Sequence, residues 1–171
     1  VFEIIEAKKI FNLRYETLDI LVHPSSYIHA ITKFKDGMIN IIAHDTNMTI
    51  PIFNSLYDKK DMKITTNKLD IKKLNFLNFK KVDTNKFPSV KIIKRLRNTE
   101  SLLETIIVLA NDELVNLFLL KKINFTDIVG NLQKLINMKE FKIYIHRKPG
   151  NINSIISLNN HIRIAVNKMI L

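Results

Sequence analysis

The chain has 171 residues, 46% of them hydrophobic, with no cysteine and a formal charge of +11. That length holds one domain or two small ones with a real core, and that apolar content argues against disorder. The lack of cysteine excludes disulfides and thiolate metal sites, and no apolar run reaches membrane-spanning length.

Taken in order, Phe2 to Leu13 reads as a helix, with Phe2, Ile5, Ala7, Ile10, Phe11 and Leu13 as its apolar positions. Glu3 and Glu6 lie three apart and so share a side of it. Leu18 to Val22 is strand-like and leads into His23-Pro24-Ser25-Ser26-Tyr27-Ile28-His29, where two imidazoles and two hydroxyls are crowded at the end of a strand. Two further strand-like runs, 30–36 and 38–44, flank Asp36-Gly37, a signal for a hairpin closed by a type I′ turn. Pro51 suits the first turn of a short helix reaching about Tyr57, with Asn47 or Thr49 as its cap.

Residues 58–88 change character. Asp58-Lys59-Lys60-Asp61 is a charged break, Leu69 to Leu74 suits a single turn or short strand, and Phe87-Pro88 ends the segment. Its apolar residues predict an ordered connector rather than a free linker. From Ser89 on, apolar spacings of three and four predict helices near 89–97, 101–122, 125–138 and 152–170, with Thr126 capping the third. The alternation in Phe141 to His146 suits a strand, and Pro149-Gly150 a turn. The expected architecture is α+β. Residues 1–57 form part of a catalytic domain with a mixed sheet, 58–88 a connector, and 89–171 a C-terminal helical bundle.

Several residues carry chemistry in more than one reading. Ser25, Ser26 and His29 suit a phosphate or a sugar hydroxyl, but serines equally serve turns by capping backbone groups. His23, His29 and His44 with Glu3 match no standard zinc spacing. Glu3 and Glu6 are a metal carboxylate pair or, more ordinarily, a solvated helix face. No Gly-rich phosphate loop is visible. The positive charge raises a nucleic-acid reading, but no recognition motif accompanies it. Lysine is spread among Ile and Asn, with three glycines and no tryptophan, the mark of an AT-rich genome. Such basicity also helps to attract an anionic substrate. A start at Val1 rather than Met points to a processed or partial product.

The order of motifs resembles the second half of the 1-deoxy-D-xylulose 5-phosphate reductoisomerases. Glu3-x-x-Glu6-Ala7-Lys8-Lys9-Ile10-Phe11 is similar to the family's E-x-x-E-A-[RK]-W-L-F helix, and the stretch from His23 to His29 to its H-P-Q-S-x-I-H segment. Asn47-Met48-Thr49-Ile50-Pro51-Ile52 resembles D-M-R-T-P-I, Leu69-Asp70-Ile71 resembles L-D-F, and Phe87-Pro88-Ser89 resembles F-P-C. Leu109-Ala110-Asn111-Asp112-Glu113 resembles N-A-A-N-E, and Ile123 to Ile128 fits I-x-F-T-D-I.

The resemblance implies an enzyme that uses NADPH and Mg or Mn to convert a sugar phosphate to 2-C-methyl-D-erythritol 4-phosphate in non-mevalonate isoprenoid synthesis. It implies Glu3 as a metal ligand and catalytic carboxylate, Ser26 as substrate-binding, His29 as catalytic and substrate-binding, and Met48 as packing near the nicotinamide. Glu6 is then supporting. It further implies a homodimer to which the hairpin contributes, and either a plastid (apicoplast) in an AT-rich parasite or the cytoplasm of a reduced bacterium. Neither a membrane nor nucleic acid is expected as a partner. Ala43-His44-Asp45-Thr46 departs from a Gly-Glu-Pro-like approach to Met48, Leu109 from the first asparagine of N-A-A-N-E, and Val1 from a glycine. The family's phosphate-gripping Asn-Lys pair, its dinucleotide domain and two metal carboxylates fall upstream of Val1, so this piece is expected to be inactive alone, and a sheet without them to show raw edges and apolar surface. A degenerate non-catalytic homologue and a basic binding module are the alternatives.

Overall fold

The computed structural model describes residues 1–57 and 62–170. The charged break expected at 58–61 lies outside the described residues. The chain forms two compact units, Val1–Asp19 with Asp83–Leu171, and Ile20–Val82. The first helix thus belongs with the C-terminal helices, whereas the sequence groups it with the hairpin.

In the first unit, helix α1 (Phe2–Phe11) ends at Asn12, whose φ of +50° places it in the left-handed region favoured at helix C-termini. Its buried face is Ile4, Ile5 and Lys8, not the predicted stripe, and Ile10 and Phe11 are exposed. Lys8 joins that face because its apolar stem can lie against the core while its ammonium meets a carboxylate. Helix α4 (Leu102–Leu119) is the centre of this unit and packs against both α5 (Phe125–Asn137) and α7 (Ile152–Ile170). Ile106, Ile107, Ala110 and Leu114 of α4 are completely buried, as are Leu135 and Ile162 on its neighbours. Each large side chain removed from water contributes about 1.5–3 kcal/mol, so this contact dominates the unit.

The helix ends have local causes. Ser101 caps α4, its hydroxyl accepting from the Leu103 N–H, while the Leu102 N–H is taken by the Arg147 carbonyl at 2.8 Å. Helix α5 starts one residue before the predicted cap. Asn124 holds the cap position, and the Asp127 carboxylate accepts from its backbone N–H at 2.8 Å, leaving Thr126 within the first turn. Pro88–Arg95 is a 3₁₀ helix rather than an α-helix. The strand expected at 141–146 is absent: α6 (Lys139–Lys142) and a 3₁₀ turn (Ile143–Ile145) occupy it. Phe141 is buried in the helical core, and that tertiary contact outweighs the alternating pattern.

In the second unit, β1 (Leu21–Val22) pairs antiparallel with β4 (Lys80–Lys81), and β2 (Ile28–Lys33) with β3 (Ile39–Ala43). The α+β class holds, with its strands in two antiparallel pairs. The hairpin turn is not type I′, since only Gly37 has positive φ, at +92°. Phe34 and Met38 close a three-residue loop, and Gly37 donates back to the Phe34 carbonyl at 3.1 Å. This is the glycine-bulge form of a hairpin loop. Helix α2 (Thr49–Leu56) contains Pro51, and the Asn47 side chain accepts from the Thr49 N–H at 2.9 Å. Asp70 caps the short α3 (Ile71–Asn75) through the Lys72 N–H. Tyr27 is the one buried residue among those described here. Ile31, Ile39, Ile41 and Ile42 on the hairpin are exposed.

Candidate functional site

The polar turn from His23 to His29 is held by its own side chains. The Asn78 carbonyl lies 3.2 Å from His23 Nδ1 and can only accept, so Nδ1 carries the proton. His23 Nε2 then accepts from the Ser25 hydroxyl at 2.7 Å. The His23 ring also stacks on Phe79, with centroids 5.0 Å apart. The Ser26 N–H closes the turn on the His23 carbonyl at 3.0 Å, and Ser26 itself has φ +50°. A serine in that region is strained, and such residues cluster at ligand sites. Ser25 therefore has a turn-building role, as its ordinary chemistry suggests, while among the described residues no side-chain hydrogen bond engages the Ser26 hydroxyl.

His29 lies at the start of the hairpin. Its Nε2 donates to the His44 carbonyl at 3.1 Å, and its ring lies parallel to that of His44, centroids 3.6 Å apart. His44 Nδ1 in turn donates to the Asp45 carbonyl at 2.7 Å. The Asp45 carboxylate takes the Lys73 ammonium at 2.6 Å and the Asn67 amide at 3.0 Å. Those bonds, Lys73 first, hold the Asp45 carboxyl below its ordinary range and raise the Lys73 ammonium above its own. Lys73 also sits 5.3 Å over the Tyr27 ring. Tyr27, His44, Asp45, Ile50, Asn67 and Asp70 line a recess of about 290 Å³. Met48, at the head of α2, is exposed at 65%, its thioether available to a ligand.

Glu3 is in the other unit, exposed in the first turn of α1, with Glu6 also exposed. Its oxygens are of the hard type that Mg²⁺ or Mn²⁺ prefers. A single carboxylate does not make a metal centre, however, and no group of three or more acidic or histidine residues able to hold an ion occurs among the described residues. The α1 carboxylates thus do not fit a divalent ion by themselves, nor do His23, His29 and His44 with Glu3.

A network that the sequence does not advertise anchors α1. Glu104, buried on α4, takes the Lys9 ammonium at 2.7 Å on Oε2, and Lys8 at 3.8 Å and the Tyr15 hydroxyl at 2.5 Å on Oε1. Burial, followed by the hydrogen bond to Glu104 and its charge, pushes the Tyr15 phenol well above its ordinary value. No local pattern could reveal this network or the Asp45–Lys73 pair, because their partners are 89 and 28 residues apart.

Comparison with known proteins places this geometry in a class. Residues 44–165 match the family model described as the DXP reductoisomerase C-terminal domain. A 1-deoxy-D-xylulose 5-phosphate reductoisomerase of Pelagibacter ubique is 54% identical over 169 residues, covering 99% of this chain and 44% of that protein. One from Wolbachia pipientis is 32% identical and covers 98% of this chain and 43% of that protein. Among solved structures, the Zymomonas mobilis reductoisomerase in complex with NADPH aligns over 98% of this chain and 43% of its own, with a TM-score of 0.83 and 28% identity. A DOX-P reductoisomerase solved with fosmidomycin and magnesium shares the fold, at a TM-score of 0.86, 98% of this chain, 43% of its own and 24% identity.

The fold and the motifs define the C-terminal domain of a reductoisomerase. The chain belongs to the 1-deoxy-D-xylulose 5-phosphate reductoisomerase family. It spans a little under half the length of the curated relatives it matches.

Proposed function

We propose that this chain is part of an enzyme that uses NADPH and a divalent cation to convert 1-deoxy-D-xylulose 5-phosphate to 2-C-methyl-D-erythritol 4-phosphate, in non-mevalonate isoprenoid synthesis. The observation that carries this reading is the 54% identity along 99% of the chain with a named reductoisomerase. Relatives of this fold were solved with NADPH and with magnesium, which supports the same cofactors here.

In this reading the Ser26 hydroxyl hydrogen-bonds a substrate oxygen from a strained turn whose backbone orients it before the ligand arrives. The His29 imidazole, its Nε2–H committed to the His44 carbonyl, offers Nδ1 as an acceptor to a substrate hydroxyl. Met48 lends soft apolar contact to the nicotinamide. Glu3 supplies one oxygen ligand of a cation site that needs further carboxylates from outside the described residues. The bound cation would polarise a carbonyl oxygen. The hairpin's two-stranded sheet, its outer edges unpaired among the described residues, and its exposed isoleucines support its use as a homodimer interface.

The test uses the complete protein, with NADPH oxidation followed in the presence of 1-deoxy-D-xylulose 5-phosphate. Activity that needs Mg²⁺ or Mn²⁺ and is abolished by a chelator is expected. Glu3→Gln should weaken the metal dependence, and Ser26→Ala should raise KM. A complete, folded protein that leaves NADPH untouched would instead favour a degenerate homologue.

A further inference from the structure

We infer that His44 is a positioning residue for His29, fixing both the tilt of its ring and the nitrogen it presents. The inference rests on His29 being the imidazole that meets substrate, as proposed above. Two restraints of different kinds act on that ring. One is a face contact, with the His44 ring only 7° from parallel and 3.6 Å away between centroids. The other is the hydrogen bond from His29 Nε2 to the carbonyl of the same residue, at 3.1 Å. A carbonyl cannot donate, so the proton is at Nε2 and the lone pair at Nδ1. Among the described residues Nδ1 has no hydrogen-bond partner, which leaves it for a ligand hydroxyl.

His44 is itself held. Its Nδ1–H is bound to the Asp45 carbonyl at 2.7 Å, and its own backbone N–H to the Tyr27 carbonyl at 3.2 Å. Asp45 is clamped by Lys73 and Asn67. The His44 ring therefore stands in one place before any ligand binds, and His29 is laid against it. An exposed imidazole with only one hydrogen bond would still rotate about that bond. The flat partner removes that freedom, and aligning an acceptor with a reacting hydroxyl is where orientation affects rate most.

Asp45, next to His44 in the chain, is paired with Lys73 at 2.6 Å, and Tyr27, Lys68 and Asp70 line the same recess. Phenylalanine keeps the flat face but loses the Nδ1–H bond to the Asp45 carbonyl, so it should substitute for His44 in part.

The test has a spectroscopic arm and a kinetic arm. In the full chain labelled with ¹⁵N in histidine, observed well above the ordinary imidazole titration range, the carbon-bound ring protons of His29 should be shifted upfield by the neighbouring ring. Its Nε2–H should exchange slowly with water. His44→Phe should keep the upfield shift, whereas His44→Ala should lose it and exchange the Nε2–H faster, its carbonyl acceptor remaining but the ring no longer held against it. In the complete enzyme, His44→Ala should lower kcat by on the order of tenfold to a hundredfold with KM little changed, and His44→Phe should restore part of it.

Unshifted ring protons in the wild-type chain would overturn the inference, as would an His44→Phe variant as impaired as His44→Ala, or unchanged kcat in His44→Ala. Should His44→Ala not fold, the wild-type and His44→Phe spectra still decide the matter. If the complete wild-type protein has no reductoisomerase activity, the proposed function fails, while the spectra still report on the positioning.

Discussion

Ser26 and Glu104 show how single residues carry costs that the rest of the chain offsets. Ser26 holds a left-handed backbone at φ +50°, which costs a residue other than glycine about 1–2 kcal/mol. Ser26→Gly should therefore stabilise the chain by about 1 kcal/mol in denaturant titrations while removing the Ser26 hydroxyl. Ser26→Ala should leave stability nearly unchanged. If both variants melt alike, strain at this position is not what the turn stores.

Glu104 has the opposite character, a buried carboxylate paired with two lysines and hydrogen-bonded by a phenol on Oε1. Glu104→Ala would strand the buried Lys8 ammonium and the Tyr15 hydroxyl, and should cost about 3–5 kcal/mol by the same titration. The phenol adds a pH dependence. Because its folded pKa lies above the ordinary 10.0, its contribution is full below pH 10 and declines as pH rises beyond it, where the unfolded chain ionises first. Alkaline melts of wild type should fall faster than those of Tyr15→Phe.

At the level of elements, local chemistry was readable wherever it was self-contained. The helices at α1, α4, α5 and α7 follow from their apolar spacing, α2 from Pro51 in its first turn, and the hairpin from Asp36-Gly37 between strand-like runs. Misreadings arose where a distant contact decided the outcome. Phe141 entered the helical core and took its neighbours into helix, and Lys8 was buried because a carboxylate 96 positions further on awaited it. In the site, the sequence pointed to Ser26 and His29 through resemblance, but the His44 ring, the Asn78 carbonyl and the Asp45–Lys73 clamp depend on which backbone segments meet, which no spacing encodes.

Gly37 offers an element-scale test. Nothing lies within 4 Å of where a Cβ would stand, so Gly37→Ala should cost only the backbone penalty of φ +92°, about 1 kcal/mol, and Gly37→Asn less. A larger loss would mean that the loop rearranges. The helix start at Asn124 can be weighed the same way, since Asp127→Ala removes the carboxylate that accepts its N–H and should cost about 1 kcal/mol.

Across these 171 residues, the charge of +11 matters more than any one lysine. No recognition motif organises it, but a positive field accelerates the arrival of an anionic substrate and is screened within about 10 Å at 0.1 M salt. Under the proposed function, kcat/KM of the complete protein should fall as ionic strength rises, with kcat steady. A rate indifferent to salt would leave the charge as a trace of codon usage.

The two-part construction of the helical unit also has a bearing on how the molecule is made. Its opening stretch, Val1–Asp19, is separated from the remainder by the whole of Ile20–Val82. Tyr15 leaves the ribosome 89 residues ahead of its acceptor, Glu104. At about 5–20 residues per second, that is a delay of roughly 4–18 s in which the nascent helix lacks Glu104 for its lysines and the α4 face for its isoleucines. Slower translation across Ile20–Val82 should lengthen that interval, and pulse-labelled chains should show greater protease sensitivity of Val1–Asp19 until α4 is made.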